Sequence, residues 1–229
     1  MEEKLSFKYG KKVLPVILLL DASGSMSNNG NINTLNEAVK DMLQSFADAS
    51  DNNADIHVAI VKFGGDAQIV MPLQLAGDVL KNYNDLRADG TTPLGKALTL
   101  AKQNIIERKD VIPSAGTYRP MVVLVSDGMP NDDWRGPLDM FVKNGRSAKC
   151  SRMAMGIGVP KGTPAYSVLE EFVSDKEFVF SADQADHIKN FFKFVTISTI
   201  AMTSASSARA TASAQAVFNA DDDDDDDLF

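Results

Sequence analysis

The chain has 229 residues, of which 44 % are hydrophobic and 24 % charged, proportions that suit one α/β domain with or without a tail. Its 23 Lys and Arg residues against 31 Asp and Glu residues give a net charge of −8, but residues 221–227 are seven consecutive aspartates, so the remainder carries only −1. This balance argues against nucleic acid as a partner, because phosphate binding needs a concentrated basic patch.

Cysteine, histidine and hydropathy exclude further classes of protein. The single cysteine, Cys150, excludes a disulfide framework and a cysteine-based zinc site, and two histidines, His57 and His187, are too few for a histidine-rich metal site. The apolar run of residues 13–20 is too short to span a bilayer. Because the start of the chain is polar and carries no targeting signal, we expect a cytoplasmic protein with no membrane contact.

The first half of the chain predicts strands and helices in alternation. Residues 13–20 form a continuous apolar run, which is typical of a strand buried on both faces of a parallel sheet. We expect a polar loop at residues 22–33 and a helix at residues 35–46, where apolar residues recur at helical spacing. Apolar and polar residues alternate over residues 54–63, which is typical of a strand, and residues 67–70 form a possible short partner strand.

The second half repeats this alternation. A helix is predicted at residues 93–106, with Pro93 in its first turn and Thr92 as its cap. Residues 121–127 form a second buried strand that ends in an aspartate. Shorter patterns predict a helix near 137–144, a strand at 152–159, a helix at 166–173, a strand at 178–180 and a helix from residue 185 onward. The expected fold is α/β, a doubly wound, mainly parallel sheet with helices on both faces.

The composition changes near the end of the chain. Residues 1–198 are expected to form the folded domain. Residues 199–220, rich in Ser, Thr and Ala, predict a helix extension or linker that buries little area. Residues 221–229 form an acidic tail.

Two of the predicted buried strands end in an aspartate, Asp21 and Asp127. Ligands of open parallel sheets bind beyond the carboxyl ends of the strands, so neighbouring strands would bring both carboxylates to one crevice. Two buried like charges repel each other, and they therefore require a counter-ion or protonation.

Small hydroxyl side chains accompany these carboxylates. Ser23 and Ser25 follow the first aspartate in a short loop, and Thr91 and Thr92 stand at the start of a predicted helix. Two carboxylates with neutral oxygens suit Mg²⁺, Ca²⁺ or Mn²⁺ better than Zn²⁺ or Cu²⁺. Each segment alone could also be an ordinary helix cap or turn. The metal hypothesis therefore depends on the combined order of the three segments, which is far more specific.

Three segments resemble the metal-ion-dependent adhesion site of von Willebrand factor type A domains. They read DASGSMS at residues 21–27, GTTPLGKAL at residues 90–98 and VLVSDG at residues 123–128. The resemblance runs from about residue 14 to residue 194 and implies the doubly wound fold of that family.

The resemblance also implies a set of metal ligands. Ser23, Ser25 and Thr92 would bind the ion directly, and Asp21 and Asp127 directly or through water. Thr92 is preferred over its neighbour because it stands five residues before an alanine, the usual spacing in the family. Thr91 stands where the family often has a second glycine.

Further likeness points to the bacterial TerY-like branch, which is associated with tellurite resistance and stress-response gene clusters. It lies in residues 14–26, 90–98, 126–134 and 191–198. This resemblance implies an intracellular, single-domain protein. The acidic tail is not part of the pattern.

The expected function is protein recognition without catalysis. A protein partner would offer a Glu or Asp carboxylate to the bound Mg²⁺ (or Ca²⁺ or Mn²⁺), in place of a water ligand. We expect side chains around the site to form the contact rim, namely Met26, Asn28, Thr91, Met129, Asn131, Asp132 and Trp134.

Two alternatives remain open. A metal-dependent phosphohydrolase would use the same ion, but the second residue after Asp21 is a serine where an aspartyl-phosphate hydrolase has another aspartate, and no lysine clamp follows Asp127. His57 and Cys150 are expected to be structural residues.

The acidic tail is the second alternative. Through Asp227, Leu228 and Phe229 it resembles the tips of bacterial single-stranded-DNA-binding proteins that dock on partners. It could also occupy a metal site, or act only as a solvated tail.

Overall fold

The computed structural model describes residues 11–49 and 54–203, and the strands in these ranges form one six-stranded sheet. The strands are β1 (Lys12–Asp21), β2 (Ala54–Gly64), β3 (Asp66–Leu75), β4 (Met121–Ser126), β5 (Ser151–Ile157) and β6 (Val179–Ala182). Their order across the sheet is β3-β2-β1-β4-β5-β6, and only the β2–β3 pair is antiparallel. The predicted mainly parallel sheet is therefore confirmed.

Helices cover both faces of this sheet. They are α1 (Asn31–Ala49), α2 (Ala76–Asn82), α3 (Leu94–Ala101), α4 (Arg135–Lys143), α5 (Pro164–Phe172) and α6 (Ala185–Thr203). A 3₁₀ segment at Gly24–Gly30 precedes α1, and a π-helical turn at Lys102–Ile106 extends α3. Helix α2 was not predicted from the sequence, because two helical turns with only two buried residues give no repeating apolar pattern.

Strand β1 divides the core into two layers, as its uninterrupted apolar run requires. Leu18 and Leu20 pack in the layer that contains α1 and α6, whereas Ile17 and Leu19 pack in the layer of α3, α4 and α5. Alternate side chains of a strand point to opposite faces, so a strand covered on both sides needs apolar residues at every position.

Helix α6 continues beyond the predicted domain boundary at residue 198. It is described as far as Thr203, and Thr199 and Ala201 are buried within it. The sequence predicts a helix extension or linker from residue 199, and residues 199–203 continue the helix. No helix in the described part of the chain is long and apolar enough to cross a membrane.

Candidate metal site

Asp21 ends strand β1 in the interior of the sheet. Its side chain is 0 % exposed. One carboxylate oxygen, Oδ1, accepts a hydrogen bond from the backbone N–H of Ser23 at 2.8 Å, and the other, Oδ2, accepts one from the Ser126 hydroxyl at 2.6 Å. The carboxylate is thus held from both sides by neutral donors.

The two serines of the following loop connect Asp21 to the second aspartate. Ser23 Oγ and Ser25 Oγ lie 3.1 Å apart, and the Ser25 hydroxyl donates to Asp127 Oδ1 at 2.8 Å. Asp127 follows β4, which pairs directly with β1 in parallel register. Because neighbouring parallel strands end at the same edge of the sheet, the fold brings these four side chains into one cluster.

The threonine segment packs against the serine loop and against the loop that follows Asp127. Gly24 N–H donates to the Gly90 carbonyl at 2.9 Å, which joins this segment to the serine loop. On its other side, Thr92 N–H donates to Asn131 Oδ1 at 3.1 Å, and Asn131 N–H donates to the Thr92 carbonyl at 3.2 Å. Thr92 is buried and Thr91 is exposed, an arrangement that favours Thr92 as the residue facing the cluster.

Glycine at position 90 is required for this approach. Its φ is +67°, in the left-handed region, and a Cβ atom there would lie 2.5 Å from the Cα of Gly65. Any side chain at this position would push the threonine segment away from the β2–β3 turn.

Burial makes the two carboxylates poor acids. Loss of hydration raises the pKa of Asp21 to about 6 against an ordinary value of 3.8, with hydrogen bonds from Ser126 and Ser23 opposing the shift and the charge of Asp127 adding to it. Burial also raises the pKa of Asp127. Within residues 11–49 and 54–203, no Lys, Arg or His forms an ion pair with either group.

This electrostatic arrangement fits a divalent cation. Two carboxylates that are partly or wholly buried without a basic partner favour either protonation or a bound positive ion. The surrounding donors are all oxygens of carboxylates and hydroxyls, the chemistry of a hard cation site. The described residues contain no cluster of three or more His, Cys, Asp or Glu side chains arranged for a metal, so hydroxyl oxygens would have to complete the ligand set.

The expected contact rim is only partly present. Asn28, Thr91, Met129 and Asn131 are exposed around the site. Met26 and Trp134, expected on the rim, are 0 % and 6 % exposed and belong to the two core layers. The expectation of accessible side chains at these two positions is wrong, because large apolar groups next to a loop are better accommodated in the core beneath it.

Asp132 was expected on the contact rim, but in the structure it caps a helix. Its carboxylate accepts hydrogen bonds from the backbone N–H groups of Gly95 at 3.1 Å and Lys96 at 3.0 Å, the first turn of α3. Thr92, the predicted cap, makes no side-chain capping bond, and Pro93 precedes the helix instead of lying in its first turn. A carboxylate from a distant loop therefore satisfies the helix terminus.

Ser126 is the contact that the sequence analysis missed. It belongs to the Ser-Asp-Gly segment and to the strand predicted at residues 121–127, and the sequence assigns it no role at the site. The available signal was a small hydroxyl residue at the end of an otherwise apolar strand, next to Asp127. Strand pairing that places it opposite Asp21 cannot be read from that pattern.

The remaining candidates lie away from the cluster. His57 is buried in β2, and burial lowers its pKa. Cys150 is buried, as expected for a structural thiol, and burial raises its pKa to about 12. His187 lies near Asp183 at the start of α6. Asp227, Leu228 and Phe229 of the tail lie outside the described residues.

Comparison with solved structures reveals the same fold in a thread matrix protein of the mussel byssus and in a pilus adhesin. Proximal thread matrix protein 1 of the mussel byssus is 21 % identical with a TM-score of 0.66, covering 82 % of this chain and 48 % of that one. The same mussel protein, solved with a zinc-occupied MIDAS motif, is 19 % identical with a TM-score of 0.60, covering 82 % and 46 %. The pilus adhesin SpaC from Lactobacillus rhamnosus GG is 18 % identical with a TM-score of 0.63, covering 85 % and 30 %.

These likenesses establish the fold, and the chain spans about half the length of the mussel protein. A search of the curated proteins found no significant match. The family model for the von Willebrand factor type A domain matches residues 16–194, which include all three segments of the candidate site. The chain therefore belongs to the von Willebrand factor type A domain family.

Proposed function

We propose that this protein is a divalent-cation-dependent protein-recognition module. Asp21, Ser23, Ser25, Thr92 and Asp127 would hold the ion, which supplies an electrophilic site for an outside carboxylate when it is bound. The observation that carries the proposal is a fully buried Asp21 that is close to Asp127 and has only neutral hydrogen-bond donors. Membership of a family that typically mediates metal-dependent interaction supports it.

The proposed ligands are of two kinds, charged and neutral. Asp21 and Asp127 supply negative charge, and the hydroxyls of Ser23 and Ser25 supply neutral oxygens next to them. The two carboxylates balance the formal charge of a divalent ion, and the other proposed ligands are neutral hydroxyls, so the ion stays electrophilic and water completes its coordination. A partner that presents a Glu or Asp side chain can replace such a water with a carboxylate oxygen, whereas a basic side chain offers no oxygen ligand.

Mg²⁺ is our preferred ion, with Ca²⁺ and Mn²⁺ as alternatives. Oxygen-only donor sets favour hard cations. The mussel relative with a zinc-occupied motif makes zinc the ion to test against them. We also propose, from the resemblance of the sequence, that the protein belongs to the TerY-like branch, acts in a cytoplasmic stress or tellurite-resistance system and has no catalytic activity.

Metal binding is tested directly with Mn²⁺. Titration of the metal-free protein, followed by the electron paramagnetic resonance signal of free Mn²⁺, should show one site that Mg²⁺ competes for. Asp21→Ala should abolish it, and Asp139→Ala, which removes an exposed carboxylate on α4, should leave it unchanged. Equal Mn²⁺ binding by the wild type and the Asp21→Ala variant would refute the proposed site.

Partner recognition needs a second experiment. Proteins captured from cell extract by the wild-type chain with Mg²⁺ should be lost with EDTA and with Asp21→Ala. A captured protein should also lose its affinity when its contacting Glu or Asp is changed to the amide. Capture that is independent of metal and of Asp21 would contradict the recognition mechanism, and Mg²⁺-dependent turnover of a phosphoester would favour the phosphohydrolase.

A further inference from the structure

A cavity of about 260 Å³ lies at the opposite end of the sheet from the metal cluster. It opens where β4 and β5 begin, beside the last turns of α6 in the described part of the chain. Its apolar lining consists of Met121, Met153, Phe178 and Met202. The volume is below the roughly 300–1,000 Å³ of sites for small molecules, and it suits one large apolar side chain.

The polar part of this cavity is cationic. Its other lining residues are Arg119, Arg152, Ser151, Ser174 and Ser198, and no carboxylate lines it. The Arg152 side chain is 8 % exposed and donates hydrogen bonds to the backbone carbonyls of Phe172 and Cys150, among others. Neither arginine forms an ion pair with a carboxylate of the described residues. Arg119 is exposed at the cavity, and the buried Arg152 charge is met only by backbone carbonyls, so the cavity keeps a positive charge that favours an anionic ligand.

Ser198 is an independent indication of a ligand. Its side chain is 3 % exposed, it lines the cavity, and its hydroxyl has no hydrogen-bond partner among the described residues. Leaving a buried hydroxyl without a partner costs about 1–3 kcal/mol. A donor or acceptor brought by a ligand would remove that cost.

We infer that this cavity binds residues 221–229 of the same chain. The aspartates would lie against Arg119 and near Arg152, and the side chain of Leu228 or Phe229 would enter the apolar part. The segment combines seven negative charges with two large apolar residues, which complement the arginines and the apolar lining of the cavity. The inference is independent of the metal site.

Chain connectivity favours this occupant over others. Met202 lines the cavity, and residues 204–220 could span up to roughly 60 Å, far more than a return to the same end of the domain requires. Tethering also gives the segment an effective concentration on the order of millimolar. The other undescribed end, residues 1–10, has two Glu and two Lys residues and therefore lacks charge complementarity.

Methionine methyl resonances provide the test, because three methionines line the cavity and others lie elsewhere. Removing residues 221–229 from the full chain should shift the methyl signals of Met121, Met153 and Met202 and leave those of Met129 and Met140 unchanged. A synthetic peptide of residues 220–229, added to the shortened protein, should restore the original positions. Its affinity should fall between about 50 mM and 500 mM salt, because the contact is ionic.

Charge reversal separates docking from indirect effects. Arg119→Glu should weaken peptide binding at least about tenfold, while Lys161→Glu, the same change on a distant exposed loop, should not. Phe229→Ala in the peptide should also weaken it. Unchanged methyl signals at the cavity after removal of residues 221–229 would overturn the inference. Shifts at Met129 instead would place the tail at the metal site, and shifts that disappear on dilution would mean docking between two copies; either result overturns it too.

Discussion

The Ser126 hydroxyl donates a hydrogen bond of 2.6 Å to Asp21, a residue 105 positions earlier in the chain. This bond joins the ends of β4 and β1 and orients the carboxylate that we assign to the metal. Ser126 is thereby a positioning residue, and its removal should affect a bound ion that it does not contact.

Ser126→Ala should lower the affinity for Mn²⁺ by about tenfold or more, since loss of groups that orient metal ligands typically costs 10–100-fold. It leaves a buried carboxylate oxygen without its donor, so the free energy of unfolding of the metal-free protein should also fall by about 1–2 kcal/mol. Calorimetric Mn²⁺ titration and urea unfolding measure the two effects. Ser167→Ala, on the exposed side of α5, is the matched control. An unchanged Mn²⁺ affinity would mean that Ser126 plays no part in positioning Asp21.

Metal-free protein should lose stability as the pH rises through the range in which Asp21 ionises. Its folded pKa of about 6 lies above the ordinary value of 3.8, so the folded state binds the proton more tightly. The resulting stabilisation is complete below about pH 4 and disappears above about pH 6, and its size is on the order of 3 kcal/mol. Urea unfolding in EDTA at several pH values measures it.

Asp21→Asn isolates this contribution. His57 acts in the opposite direction, because its lowered pKa makes folding less favourable as the pH falls, and the variant keeps His57 unchanged. The difference between wild type and variant should therefore contain the Asp21 contribution together with its coupling to Asp127, and no contribution from His57. Mg²⁺ should stabilise the wild type more at about pH 7.5 than at pH 5, because protons compete with the metal for the carboxylates. A Mg²⁺ effect that is independent of pH would contradict this assignment.

Ser25 and Ser27 offer a matched pair within one loop. The Ser25 hydroxyl contacts both Asp127 and Ser23, whereas the Ser27 hydroxyl donates to the Gly24 carbonyl. Ser25→Ala should weaken Mn²⁺ binding by about tenfold, as expected when one oxygen ligand is removed, and Ser27→Ala should change it by less than about twofold. Equal effects of the two substitutions would show that the loop conformation matters and the Ser25 oxygen does not.

Asp132 and Asp133 form a second pair. Asp132 caps α3, so Asp132→Ala should destabilise the protein by about 1 kcal/mol, while Asp133→Ala, an exposed neighbour, should have little effect. Thermal unfolding in EDTA measures the difference. If the two variants unfold at the same temperature, the carboxylate does not contribute the capping energy assigned to it.

Cys150 should react slowly with thiol reagents while the protein is folded. Its side chain is buried and its pKa is raised to about 12, so little thiolate is present near neutral pH. Modification by a chromogenic disulfide reagent should be slow in buffer and fast in denaturant. Rapid labelling of the native protein would indicate that the region around β5 opens far more readily than its packing implies.

Most of the fold could be predicted because its signals are local. The uninterrupted apolar run before Asp21 requires a strand covered on both faces, and the recurring apolar residues of α1 require a helix with one buried side. Helix α2 was not predicted, because it is too short to repeat an apolar pattern. The helix extension predicted from residue 199 is present as far as Thr203, but composition did not show that Thr199 and Ala201 would be buried in it.

The sequence by itself determined which residue types could hold a cation: two aspartates after apolar strands, and hydroxyls at fixed short spacings from them. The serines are close to their aspartate in sequence, so the local backbone conformation is enough to bring them together. Tertiary structure decided the rest, including the Ser126 bond to Asp21, the Asp132 cap on α3 and the burial of Met26 and Trp134. Each of these depends on which distant segments become neighbours when strands pair and layers pack, and pairing energy is spread over many contacts that no local pattern records.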